Sequence, residues 1–215
     1  MSFDALQEHT VGRSLELPSA AKELYSRLRK QLLDASNAGK LSTSPNDIIQ
    51  HVRLLDKLSE FPLQVAENLR RQDLDGGAFC IVVGRKINQN RDRSFPHLTR
   101  DDDAWFDFTI TGRERKGLLE LLSYGFEIRF PPGMGAPFLR FDLNLPDHRN
   151  KARELRCHLH PGSDDILVPA PLMSPFELLA MFVDRARPTA DRDKRRAPTA
   201  FEASWYQETH ILTRP

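Results

Sequence analysis

Residues Glu154-Leu155-Arg156-Cys157-His158-Leu159-His160 alternate charged or imidazole side chains with apolar ones and stop at Pro161-Gly162. Successive side chains of a strand point to opposite faces. Arg156, His158 and His160 therefore project together, and Leu155, Cys157 and Leu159 project the other way. Imidazole titrates nearest neutrality of any side chain, which suits general acid–base work. A second alternating run, Phe138 to Leu145, sets Arg140, Asp142 and Asn144 against Leu139, Phe141, Leu143 and Leu145. On one face of paired antiparallel strands, neighbouring Cβ atoms stand about 4.5–5.5 Å apart. Asp142 can then orient an imidazole, while Arg140 and Arg156 stabilise charge on a phosphate in the transition state. This set fits metal-independent cleavage of RNA, with His158 or His160 as the base and no cofactor. The same H-x-H spacing binds metals when a carboxylate or a third imidazole such as His148 completes it. Many strand histidines bind nothing, and the plain alternative is a solvated face of Arg–Asp and His–Asp pairs.

Other residues carry less. Cys80 lies in the apolar run Ala78 to Val83, and Cys157 shares the buried phase of its strand, which turns it away from its histidine neighbours. Asp142 with Glu154-Leu155-Arg156 has arginine where metal-dependent endonucleases carry lysine. His97-Leu98-Thr99 is half of an H-x-T pair without its second half, and Gly133-Met134-Gly135 lacks the following helix that a phosphate loop requires.

A net charge of +1 over 215 residues argues against a wholesale polyanion binder. The charge is uneven, however. Arg85, Lys86, Arg91 and Arg93 form one basic run, and Arg192, Lys194, Arg195 and Arg196 another. As phosphate-contacting arms they would bind RNA or DNA with strong salt dependence. Otherwise they are solvated loops.

The elements that must position these groups follow from hydrophobic period. Pro18 opens a helix whose Ala21, Leu24, Tyr25, Leu28 and Leu32 share a face, and Gly39 stops it. Ser44-Pro45-Asn46-Asp47 announces a second helix with Ile48, Val52, Leu55 and Leu58 as its stripe, broken at Pro62. Leu63, Ala66 and Leu69 make a short third helix. After Gly76-Gly77 the period changes: Ala78 to Val83 is apolar on both sides, as suits a central strand, and alternating strands are expected at Ala104 to Thr111, Phe126 to Phe130, Phe138 to Leu145 and Leu155 to His160. Ser174-Pro175-Phe176-Glu177 is a capping box that opens a closing helix. The expectation is an α+β fold: an N-terminal helical hairpin (1–75), then an antiparallel meander of about five strands with a C-terminal helix covering one face (76–184). A basic, Pro/Arg-rich tail with an aromatic end follows (185–215).

Arg140-Phe141-Asp142, His148, His158-Leu159-His160, Val168-Pro169-Ala170-Pro171 and Ser174-Pro175-Phe176-Glu177 come in an order that resembles the C-terminal part of TumE-type bacterial toxin–antitoxin proteins, over roughly residues 139–183. The resemblance implies a bacterial mobile-element or defence context.

The N-terminal MSFDALQEHTVGR has early acidic residues and no apolar stretch, and nothing in the chain reaches the length of a membrane span, so a cytoplasmic location is expected. The expected partners are nucleic acid, through the basic loops, and another protein. The competing expectation is a non-enzymatic assembly subunit that docks a larger partner through the N-terminal helices and the C-terminal segment.

Overall fold

The computed structural model describes residues 15, 17–83, 95–132, 135–146 and 156–187. Helix α1 (Ala21–Asn37) lays Leu24, Leu28 and Leu32, one turn apart, against the sheet, and all three are buried. Ala20 has no side chain to cap this helix. The carboxylate of Glu114, far away in sequence, accepts the Ala21 amide instead. Helix α2 (Pro45–His51) begins as its sequence predicts, with the Ser44 hydroxyl accepting the Asp47 amide at 3.2 Å.

The long helix expected from Ser44 to Pro62 does not form. α2 ends at His51, and β1 (Val52–Leu55) pairs antiparallel with β2 (Ala78–Val83), from Val52 opposite Val83 to Leu55 opposite Cys80. Every residue of β2 is buried, so its backbone needs a hydrogen-bonding neighbour on each edge, and β1 supplies one of them. In this strand Val52 joins the core beneath α1 while Leu55 joins a second core on the opposite side of the sheet. Helix α3 (Leu63–Arg71) closes that second core with Ala66 and Leu69. Leu63, expected in the same stripe, is 73% exposed.

Among the described residues the sheet has eight strands where about five were expected, all antiparallel. β3 (Leu98–Thr99), β4 (Trp105–Arg115), β5 (Leu118–Arg129), β6 (Phe138–Leu143), β7 (Cys157–Pro161) and β8 (Val168–Pro169) follow β2. The order across the sheet is β1-β2-β4-β5-β6-β7-β8, with β3 beside β4. β2 and β3 pair with successive stretches of β4. β4 and β5 form a long hairpin whose two turn residues, Lys116 and Gly117, have φ of 54° and 75°, as a tight hairpin turn requires.

Helix α4 (Pro175–Ala180) carries the full capping box between Ser174 and Glu177 and runs into a π turn, Met181–Arg185. Leu178, Leu179 and Phe182 share the α1 core. Arg100, fully buried, ties this end down. Its guanidinium donates to the carbonyls of Phe182 and Ala186 at 2.7 Å each and forms an ion pair with Asp102. The fold is thus α+β with helices on both faces of the sheet. A single covered face was expected; α3 covers part of the other. No helix among the described residues is long and apolar enough to cross a membrane.

Candidate active site

Register assembles the polar groups. Asp107 on β4 stands opposite Glu127 on β5, Glu127 opposite Arg140 on β6, and Arg140 opposite His160 on β7. In the adjacent row Thr109, Gly125, Asp142 and His158 stand in line across the same strands. Alternation sends their intervening neighbours Phe106, Phe108, Phe126 and Cys157 into the α1 core. The shared face inferred from strand phase is therefore formed. It differs from the expected solvated face in one respect: His158 is 2% exposed and His160 5%.

Both imidazoles converge on one oxygen. The Nε2 atoms of His158 and His160 lie 3.6 Å and 3.5 Å from Asp142 Oδ2, and the two rings meet edge to face at 4.9 Å. These separations exceed the 2.7–3.2 Å of an N–H···O hydrogen bond. His160 Nδ1 is buried with no hydrogen-bond partner. Asp142 Oδ2 also accepts from Arg140 Nε at 2.8 Å. Arg140 Nη1 then reaches Asp164 Oδ1 at 2.6 Å and lies 3.6 Å from Glu127 Oε2. Burial alone would lower the pKa of this guanidinium, but Asp142 and Asp164 raise it above its ordinary value. Asp107 and Glu127 stand directly opposite each other, and each meets a partner of its own. His97 Nδ1 lies 3.0 Å from an Asp107 oxygen, and Arg129 Nε donates to Glu127 Oε1 at 2.8 Å. The His97 ring also packs on Trp105 with centroids 4.1 Å apart.

Over this face and under α3 lies a cavity of about 780 Å³. Gln64, Val65 and Asn68 of α3 form one wall, and Asp107, Thr109, Gly125, Glu127, Arg140 and Asp142 lie on the sheet side. Of the Asp142, His158 and His160 trio, Asp142 alone lines it. Gly125 keeps its approach open: a Cβ there would stand 3.2 Å from Asp142 Oδ1.

Of the residues expected to be catalytic, Asp142, Arg140, His158 and His160 come together. Arg156 is engaged elsewhere, donating to the backbone carbonyls of Asn144 at 2.9 Å and Leu122 at 2.8 Å, and burial lowers its pKa. Cys157 faces the other side, 3.4 Å from the Tyr124 hydroxyl, and burial pushes both groups up in pKa, which leaves no ready thiolate. The basic residues expected to contact nucleic acid, Arg85, Lys86, Arg91, Arg93, Arg192, Lys194, Arg195 and Arg196, lie outside the described residues, as does His148. Asp107, Gly125 and the α3 wall were not anticipated. Asp107 was visible as the one charge in the alternating run Trp105-Phe106-Asp107-Phe108, but its histidine partner lies ten residues away, just before β3. The chain matches no protein-family model and has no significant match among curated proteins or solved structures.

Proposed function

We propose that this chain is an enzyme that acts on a small polar molecule held in the cavity between α3 and the sheet, and that Asp142, His158 and His160 activate a water or a ligand hydroxyl poised over Gly125. The observation that carries the reading is the position of Asp142. It belongs at once to the cavity lining and to the buried histidine cluster. An accessible carboxylate backed by two converging imidazoles and a guanidinium is an arrangement suited to taking up or delivering a proton.

Two features favour a small molecule over the RNA first expected. A polymer's phosphodiester would have to reach imidazoles that are almost wholly covered. Arg140 and Arg156 already direct their donors to carboxylates and backbone carbonyls, so neither is poised to grip a phosphate. The docking-subunit reading is disfavoured by the helices themselves, because the apolar stripe of α1 is spent on the chain's own sheet.

The test fills the cavity without touching the cluster. Ser123 lines the cavity on β5, and Ser123→Trp should abolish binding of any small molecule found by ligand-observed NMR against a metabolite panel, while Asp142→Asn should retain binding and lose turnover. Unchanged binding by Ser123→Trp, or cleavage of single-stranded RNA that survives it, would overturn the reading.

A further inference from the structure

We infer that Asp142, His158 and His160 bind one divalent first-row transition-metal ion. One ligand atom from each of the three residues lies within 4.8 Å of the other two, the only such group among the described residues. The pairwise distances are informative. With metal–ligand bonds of about 2.0–2.1 Å, two ligands of a tetrahedral ion stand roughly 3.3–3.4 Å apart. The separations of 3.5 Å and 3.6 Å from Asp142 Oδ2 to the two Nε2 atoms match that edge and are too long for hydrogen bonds.

A second, independent observation is the His160 ring. Its Nδ1 is buried without a partner, and its Nε2 meets Asp142 beyond hydrogen-bond reach. Buried imidazoles ordinarily satisfy both nitrogens, and here no hydrogen bond within the protein competes with an ion for the ring's lone pair. Arg140 fits the same picture, since a carboxylate that ligates a metal is itself held by a hydrogen bond, here from Nε to the same Oδ2.

The donor set selects the ion class. Two imidazoles and one carboxylate favour zinc, iron(II) or cobalt(II) over magnesium or calcium, which prefer all-oxygen shells. Three protein ligands leave a coordination position open, and Asp142, the ligand that lines the cavity, puts that position within reach of a bound molecule. This departs from the metal-free site expected from the sequence. Metal binding stands on the cluster's own geometry; only its use in turnover rests on the proposed function. There, a metal-held water of lowered pKa would be the group activated beside Asp142.

The full chain, purified without a tag and stripped with chelator, is titrated with Co²⁺ and followed by its visible absorption, with Zn²⁺ competition and elemental analysis in parallel. The expected result is one equivalent per chain, displaced by Zn²⁺, with affinity falling at least about tenfold in His160→Ala and in the near-isosteric Asp142→Asn. No stoichiometric binding, or equal binding by a folded Asp142→Asn, overturns the inference. Ser123→Trp separates the two proposals: it should keep the Co²⁺ spectrum while losing the small molecule. A chain that binds Co²⁺ and no small molecule retains the metal site and refutes the cavity reading alone.

Discussion

Replacing Arg100 by methionine keeps most of the side-chain stem and removes the guanidinium that holds the C-terminal end of the described chain. Arg100 has no exposed surface, and it gives 2.7 Å hydrogen bonds to both Phe182 and Ala186 carbonyls. Each carbonyl left without its charged donor costs about 1–3 kcal/mol. Asp102 is partly exposed and regains water, so its loss of partner is discounted. Two carbonyls make about 2–6 kcal/mol, and the middle of that range, about 3–5 kcal/mol, is the cost found when one member of a buried ion pair is removed. For a chain of this size that corresponds to a melting temperature lower by roughly 6–20 °C. Urea unfolding followed by circular dichroism measures it, and Arg100→Lys should fall between the two because one ammonium cannot span both carbonyls and both carboxylate oxygens. A loss below about 1 kcal/mol would refute the claim that Arg100 clamps the π turn. The pH dependence is a second check. Burial would raise the Asp102 pKa, but the hydrogen bond and charge of Arg100, with the Ala104 amide and Arg187, hold it below its ordinary value. A carboxyl with a depressed folded pKa contributes stability above its unfolded pKa of about 3.9 and loses it as pH falls through the folded one. That acid-side slope should flatten in Arg100→Met.

Three further outcomes follow from local geometry. Gly77→Ala should destabilise by about 2–4 kcal/mol, since it combines a φ of 73° with a Cβ 2.3 Å from the Glu114 carbonyl oxygen, whereas Gly39→Ala, with φ of 71° and nothing within 4 Å, should cost only about 1–2 kcal/mol; urea midpoints compare them. Ser174→Ala removes a capping box and should cost about 1 kcal/mol in the same assay. Burial pushes the Cys80 thiol up to about 12 and raises that of Cys157, so neither should react with Ellman's reagent at pH 8 until denaturant is added.

Alternation made the shared face of Arg140, Asp142, His158 and His160 readable, because a period of two assigns sides with little ambiguity once the strands exist. It carried no information on whether that face met water. The cavity wall on that side comes from α3, whose buried stripe is only Ala66 and Leu69, too short to announce a packing partner on the far side of the sheet. Val52 and Leu55 were misassigned for a related reason. Three residues apart, they share a face in a helix and oppose each other in a strand, and only the exposed edge of β2 decides which conformation wins.

Charge partners were harder to read from the sequence than strand phase. Arg140 and Arg156 counted equally as phosphate ligands while they were letters in alternating runs. A guanidinium, however, has directional donors, and what it binds depends on which acceptors the register brings alongside. Across the sheet Arg140 meets Glu127 on one strand and Asp142 two residues along its own, with Asp164 reaching over from the loop after β7, so it organises carboxylates. Arg156, just before β7, donates to backbone carbonyls beyond the paired ends of β5 and β6. Once both cations are engaged, carboxylates and imidazoles dominate what remains of the site. That set favours a positively charged ion over an anion, so the same residues that read as a nuclease in the sequence support a metal centre in the fold.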